Sequence, residues 1–92
     1  MSPAIELIPT LDNCIETTAR REFARTKDGY LEKGGDDGEL AERVRLLRMF
    51  LQSADFRKLR SESESHLVEV RRVRFVLYSQ GAGMTYEMKV DT

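Results

Sequence analysis

Three features of the chain carry side chains that could take part in chemistry: a lone cysteine, a lone histidine and a short acidic cluster. Cys14 has no histidine near it in the sequence, and a thiol without a base is more typical of a small core residue than of a nucleophile. His66 could act as a general base, but it needs a partnered nucleophile or carboxylate in a pocket, and the sequence shows only nearby glutamates. We therefore expect no catalytic residue and no enzyme activity.

The acidic cluster Asp36-Asp37-Gly38-Glu39 raises the question of a calcium site. It lacks the alternating oxygen ligands and the closing glutamate of an EF-hand loop. Asp37 or Gly38 is better placed as the cap of the helix that follows, with Glu39 in its first turn. The glycines here do not form a phosphate-binding motif, and one cysteine with one histidine excludes a multi-histidine metal site. We expect no metal and no other cofactor.

The remaining polar candidates are interaction residues. A predicted hairpin at the end of the chain presents arginine, lysine and tyrosine on one face, which is the rudiment of a single-stranded nucleic-acid platform. It lacks the two or three stacking aromatics that such sheets carry, and charges on the solvent face of a sheet are the ordinary outcome. A methionine on the second helix points to the side where a solvated helix would carry lysine or glutamate. The candidate interaction residues are Met49, Arg72, Arg74, Tyr78 and Lys89.

Composition bounds the class of protein. Ninety-two residues with 40% hydrophobic and 34% charged side chains fit one small globular domain, residues 1–92. The net charge of −1 combines an acidic first half with an arginine-rich second half, which we expect to face each other or to be solvated. A nucleic-acid-binding domain is normally clearly basic. The sequence shows no secretory leader and no apolar run that could span a membrane, so we expect a cytoplasmic protein without a membrane partner.

The densest hydrophobic segment, residues 40–51, predicts the central helix. At about 100° per residue, its apolar side chains cover an arc of about 160°, so two other elements can pack on it. The helix should end near Ser53, with Leu47 and Leu51 near full burial. Arg43 falls inside the arc, so we expect it to pair with a carboxylate or to reach solvent at the edge.

Two further helices are predicted around it. The first runs from about Thr10 to Lys27, with Thr10 as cap and an apolar stripe of Leu11, Ile15, Ala19 and Phe23. A mobile glycine-rich loop, residues 28–38, follows it, with Tyr30 and Leu31 as its anchor to the core. A short third helix, roughly 55–64, turns Phe56 and Leu59 back to the core, with Ser53 or Asp55 as cap. The polar SESES segment is the tail of that helix or an exposed loop.

Two segments alternate in hydrophobicity at the end of the chain and predict a hairpin around a four-residue loop, Gln80–Gly83. Pairing Ser79 with Met84 places every apolar residue on one face, which specifies the register. Val68 and Val70 have the opposite parity, so Arg71-Arg72 marks a bulge, a bend or the true start of the strand.

Residues 2–9 fit two structures. Ser2 and Pro3 are typical of a helix start, but Pro9 would break that helix soon afterwards. Alternation of Ile5 and Leu7 with Glu6 fits a short strand instead.

The predicted fold is α+β: two main helices and a short third helix packed on a C-terminal antiparallel hairpin, with an N-terminal third strand as the open alternative. We predict a small intracellular protein-interaction module. Its partner is either a second copy of the same chain or another protein. A weak RNA- or DNA-binding domain that uses the arginine-rich hairpin face is the alternative.

Overall fold

The computed structural model describes residues 4–91. Six elements follow one another: β1 (Ile5–Leu7), α1 (Ile15–Glu32), α2 (Gly38–Ser53), α3 (Phe56–Val68), β2 (Arg72–Gln80) and β3 (Gly83–Asp91). The strands form an antiparallel sheet in the order β1-β2-β3, and the helices pack on one face of it. The predicted α+β fold is confirmed, and Ile5–Leu7 takes the strand alternative. The helix start predicted at Ser2 and Pro3 lies outside the described residues.

The hairpin has the predicted register. Ser79 pairs with Met84, and Leu77, Phe75 and Val73 pair with Tyr86, Met88 and Val90. Pairing continues to Gln80 and Gly83, so the predicted four-residue loop is wrong and the connection is the two-residue turn Gly81–Ala82. Gly81 adopts a φ of 56° there, a backbone conformation that glycine reaches without steric cost. Of the three alternatives for Arg71-Arg72, the start of the strand at Arg72 holds.

The centre of α2 forms the middle of the core. Leu46, Leu47 and Phe50 are fully buried. The centroid of the Phe50 ring lies 5.0 Å from the centroid of the Tyr86 ring and 5.5 Å from that of the Phe56 ring, and both pairs are edge-on. Leu47 is buried as predicted, but Leu51 is only partly buried. The sheet packs against the Leu46 and Phe50 side of the broad apolar arc, which leaves Leu51 at its margin.

Two arginines tie α2 to its neighbours. Arg43, predicted to pair with a carboxylate, lies with Nη2 3.8 Å from Glu22 Oε1 of α1. Arg45 donates from Nη1 to the carbonyl oxygen of Ala82 at 2.9 Å and also binds Glu42. The hydrogen bond from Arg45 to Ala82 fixes the hairpin turn against the helix.

Helix α1 begins five residues later than predicted. Thr10 does cap, but it caps a turn: Asn13 N donates to Thr10 Oγ1 at 3.0 Å, and Thr10 N donates to Asn13 O at 2.9 Å. Because this turn holds the chain before Cys14, Leu11 lies outside the helix and its side chain is 59% exposed. The predicted apolar stripe therefore loses its first member, while Ile15 and Ala19 are fully buried.

Helix α1 also ends later, so the predicted loop over residues 28–38 is wrong for its first five positions. Asp28 and Gly29 are helical, and the glycines that end the helix are Gly34 and Gly35, with φ of 78° and 75°. Leu31 is 60% exposed and does not anchor this segment to the core.

The caps of the next two helices agree with prediction. Asp37 accepts backbone hydrogen bonds from Glu39 and Leu40 at 3.0 and 3.1 Å, and Asp55 accepts one from Lys58 at 3.3 Å. Helix α3 extends beyond the predicted residues 55–64 through the whole SESES segment. An ion pair one helical turn apart supports this extension, with Arg60 Nε 3.0 Å from Glu64 Oε1. Leu59 of α3 is buried and Phe56 packs against the core, as predicted.

Candidate protein-interaction surface

A concave surface lies where the end of β1 and the end of α3 both meet the start of β2. It encloses about 800 Å³, which is within the range of ligand-binding clefts. We call it the groove. Its lining residues are Ile8, Pro9, Thr10, Leu11, Leu67, Val70, Arg71, Arg72, Val73, Arg74 and Asp91.

Aliphatic side chains in the groove face solvent. Ile8 is 57% exposed, Leu11 is 59% exposed and Val70 is 92% exposed. Single exposed apolar residues are common on protein surfaces, but several that line one concavity are not. The groove is therefore an apolar surface for which the described part of the chain provides no cover.

Val70 has a backbone conformation that valine rarely adopts. Its φ is 61°, and it is the one residue other than glycine with a positive φ between Ala4 and Asp91. The N–H groups of Val70 and Arg71 donate to the carbonyl oxygens of Leu67 and His66 at 3.0 and 3.1 Å. This is the Schellman motif that ends many helices, and the position that Val70 occupies is normally glycine.

The same motif ends α1, and there the chain uses glycine. Gly34 and Gly35 donate to the carbonyl oxygens of Leu31 and Tyr30, both at 3.0 Å, and Gly34 occupies the position that corresponds to Val70. A left-handed conformation costs a residue with a side chain about 1–2 kcal/mol. Strained backbone of this kind is concentrated at functional sites, and Val70 places its side chain at the groove.

Strand β2 runs past the end of β1 at the floor of the groove, where Val73 is 1% exposed. Strand β1 pairs only with Phe75–Leu77, and Pro9 cannot continue the ladder because it has no N–H group. A two-residue hairpin closes with a hydrogen-bonded pair, here Gln80 and Gly83, and such pairs alternate along the strands. Val73 is out of phase with that series, so its N–H and C=O are directed to the side on which β1 has ended.

The rim of the groove carries charged side chains, most of which lie in ion pairs. Arg71 Nη2 lies 3.2 Å from Glu69 Oε2. Arg74 Nη1 lies 2.8 Å from Glu6 Oε1, and its Nε lies 3.2 Å from Asp91 Oδ2, and these carboxylates, Glu6 first, raise the pKa of Arg74. Arg72 is exposed and forms no ion pair with any residue between Ala4 and Asp91. It is the cation at the rim that remains available to a ligand.

Of the five candidate interaction residues, only Arg72 and Arg74 lie at the groove. Tyr78 and Lys89 lie farther along the outer face of the sheet, where both lie near Glu87: Tyr78 donates to Glu87 Oε1 at 2.8 Å, and Lys89 Nζ lies 3.4 Å from the same atom. The Tyr78 hydrogen bond lowers the pKa of Glu87. Met49 lies at neither place: it is partly buried, and Arg45 Nη1 lies 3.3 Å from its sulfur.

The outer face of the sheet carries balanced charge. Three basic residues, Arg72, Arg74 and Lys89, share it with three acidic residues. Those acidic residues are Glu6, Glu87 and Asp91. Periodicity revealed the basic residues on the two hairpin strands, but it did not reveal that β1 brings Glu6 beside Arg74.

The residues that could do chemistry lie apart from the groove or serve local structure. A hydrogen bond with Thr17, at 3.4 Å, lowers the pKa of the Cys14 thiol. The backbone carbonyl of His66 closes the Schellman motif. Among residues 4–91, no group of three or more metal-ligating side chains could hold a metal ion, and no helix in that range is long and apolar enough to cross a membrane.

Sequence reasoning missed the aliphatic residues of the groove. The sequence did contain two signals. Val70, like Val68, breaks the parity of the strand, and Pro9 marks the end of β1. Helix periodicity assigned Leu11 to a buried stripe, and no local pattern shows that Ile8 and Val70 approach one another.

A protein-family model matches residues 1–88, so the chain belongs to that family, whose description names no activity. No curated protein and no solved structure matches the chain.

Proposed function

We propose that this member of the family is a protein-interaction module whose groove binds an extended segment of a partner protein. The segment carries aliphatic side chains and at least one carboxylate. The single observation on which this rests is Val70, an exposed valine held with a positive φ at the edge of an apolar groove. We place the module inside the cell as part of the same proposal, because its single cysteine indicates a reducing compartment.

The apolar walls account for the aliphatic part of the ligand. Ile8, Leu11 and Val70 expose more than half of their surfaces around one concavity, and burial of that surface by a ligand is favourable in proportion to its area. A side chain at Val70 costs backbone strain and gains nothing from burial within the chain. A bound partner supplies the missing contact.

The end of the β1 ladder at Leu7 accounts for the extended conformation, because Val73 of β2 has no β1 residue paired with it. Val73 is 1% exposed, so a partner strand that displaces the segment after β1 can pair there through main-chain hydrogen bonds, and its alternating side chains then give specificity. One face of such a strand lies toward the aliphatic walls. The other lies toward Arg72 on the outer face of the sheet, where a carboxylate can make a charge-assisted contact.

The nucleic-acid alternative has less support. Its binding surface is the outer face of the sheet, and there three acidic residues neutralise the arginine and lysine side chains. Phosphate binding depends on a net excess of cations over the footprint, and Arg72 alone provides little. The face also presents a single aromatic side chain, Tyr78, whose hydroxyl is engaged with Glu87.

Two peptides and one oligonucleotide test the proposal by NMR titration of ¹⁵N-labelled protein. The first peptide is acetyl-Val-Asp-Val-Asp-Val-amide, the second replaces both aspartates by asparagine, and the oligonucleotide is decathymidylate. We expect the first peptide to shift amide resonances in residues 8–11 and 67–74. The second should bind about two- to fivefold more weakly, the range for an exposed ion pair.

Variants assign the contacts. Arg72→Gln should remove the difference between the two peptides. Val70→Asn should weaken both, because asparagine accepts a positive φ but lacks the apolar surface. Val68→Asn is the matched control, since Val68 is also exposed but does not line the groove. No shift at millimolar peptide, or shifts confined to the outer face of the sheet with a steep salt dependence for the oligonucleotide, would overturn the proposal.

A further inference from the structure

We infer that the chain forms a homodimer by antiparallel pairing of β3 with β3 of a second copy, in the register centred on Met88. Apart from Asp91 at the end of β3, the residues of this surface do not line the groove, and the inference does not depend on the proposed function. It rests on the open edge of β3, on which residues face which side of the sheet, and on the positions of two opposite charges.

Strand β3 presents a long and regular edge. Its nine residues pair with β2 without a bulge, and β3 is the last strand of the sheet on that side. Natural edge strands are protected by bulges, prolines, inward charges or very short length. Charged side chains also protect an edge, and β3 carries three of them, Glu87, Lys89 and Asp91. Each already lies in an ion pair of the same chain, Lys89 with Glu87 and Asp91 with Arg74.

The hairpin geometry limits the possible registers. Because Gln80 and Gly83 form the closing pair, the even-numbered residues of β3 direct their N–H and C=O groups toward the open edge. Their side chains lie on the core-facing side of the sheet. A two-fold pairing must therefore place even-numbered residues opposite even-numbered residues, so that both helical layers lie on the same side. The residues of this set are Met84, Tyr86, Met88 and Val90.

Charge favours the register centred on Met88 over the two registers adjacent to it. With the two-fold axis at Met88, Glu87 lies opposite Lys89 of the second copy, and the same pair forms again on the other side of the axis. An axis at Glu87 places two glutamates opposite each other, and an axis at Lys89 places Glu87 opposite Asp91. Opposite charges on facing positions stabilise strand pairing, while like charges weaken it.

The monomer leaves apolar surface for this contact. Met84, Tyr86, Met88 and Val90 pack against the core but are only partly buried, because no strand lies beyond them. In the Met88 register, Tyr86 faces Val90 of the second copy and the two Met88 side chains meet. A contact made by one strand from each chain is smaller than a standard interface, so we expect micromolar or weaker affinity.

Charge reversal tests the register directly by sedimentation equilibrium. Glu87→Lys and Lys89→Glu should each weaken dimerisation at least fivefold, because each homodimer then carries only like charges across the contact. An equimolar mixture of the two variants should dimerise again, since every lysine then faces a glutamate. Glu32→Lys is the matched control: it makes the same charge change on an exposed residue at the end of α1 and should dimerise like the unmodified protein.

A cross-link provides the second measurement. In a Cys14→Ser background, Met88→Cys should form an intermolecular disulfide under mild oxidation, while Tyr86→Cys should form little, because position 86 then faces Val90 and not its own copy. An unmodified protein that is monomeric up to several hundred micromolar refutes the homodimer. A dimer that is insensitive to both charge reversals, or that cross-links equally at both positions, refutes this register.

Discussion

Val70→Gly should increase the stability of this protein although it removes a hydrophobic side chain. Val70 has a φ of 61°, which glycine adopts freely and a β-branched residue adopts only with strain. Its side chain is 92% exposed, so its removal sacrifices almost no burial within the chain. The substitution therefore changes mainly the backbone contribution to the free energy of unfolding.

The magnitude follows from two opposing contributions. Relief of the left-handed conformation gains about 1–2 kcal/mol, while the greater backbone freedom of glycine in the unfolded chain costs about 0.5–1 kcal/mol. Taken at the midpoints of the two ranges, the net gain is about 0.75 kcal/mol. For a chain of this size, that corresponds to an increase in Tm of about 2–8 °C. Gly34→Val reverses the change at the matching position of α1, where a Cβ would meet only Asp36 Oδ2 at 3.9 Å, and should lose a similar amount.

Urea unfolding followed by circular dichroism measures both variants. The midpoint should rise for Val70→Gly and fall for Gly34→Val, with the slope unchanged in each case. Val68→Gly controls for the loss of an exposed valine: it lies at the end of α3 and has no positive φ, so it should be destabilised. A loss of 1 kcal/mol or more for Val70→Gly would show that the Val70 side chain stabilises the folded chain, which would refute the argument that it serves a partner.

Three further predictions concern the rest of the fold. Leu47→Ala should lower the free energy of unfolding by about 2–5 kcal/mol, because Leu47 is fully buried and its truncation leaves a cavity. A loss of only a few tenths of a kcal/mol in urea unfolding would contradict this. The backbone N–H of Leu40 lowers the pKa of Asp37 from 3.8. Its contribution to stability is therefore complete above that value and is lost as the pH falls through the lower folded-state pKa, so Asp37→Asn should flatten the decline of Tm between about pH 5 and 2. Met49→Lys should lower Tm, since it places an ammonium beside Arg45, but it should leave the sedimentation behaviour unchanged because residue 49 is on α2 and not on the edge of β3 that pairs in the proposed dimer.

The sequence predicts the architecture well where one hydrophobic period persists. The register of β2 and β3 follows from alternation alone, and the central position of Leu47 follows from the helical pattern of residues 40–51. Both segments bury one continuous face, so a shift of one residue would place their apolar side chains in water. Local pattern and tertiary packing agree in these segments, which is why prediction succeeds there.

Prediction fails at the ends of helix α1, where a local signal competes with another of similar strength. Thr10 is a good cap, but its hydroxyl bonds to Asn13 N and closes a turn. Asp28-Gly29 is a common turn pair, yet glycine costs only about 1 kcal/mol inside a helix, and the chain continues helical to Glu32. The position of a helix end thus depends on differences too small for residue type alone to decide.

The groove depends on helix ends, where the hydrophobic period does not predict the structure. Its walls come from segments that sequence reasoning placed elsewhere: Leu11 in a buried helical stripe, Ile8 in an N-terminal segment that fits a helix or a strand, and Val70 just before the predicted hairpin strand. Each is exposed because a neighbouring helix ends or begins where a capping motif, not the hydrophobic period, sets the boundary. At α1 such a boundary uses Gly34 and exposes no large side chain. At α3 the same motif uses Val70 at a cost in backbone strain, and the apolar surface that results lies beside the part of β2 that β1 does not pair with. A residue that lowers the stability of the isolated chain at a position where glycine is available is best explained by a contact outside that chain.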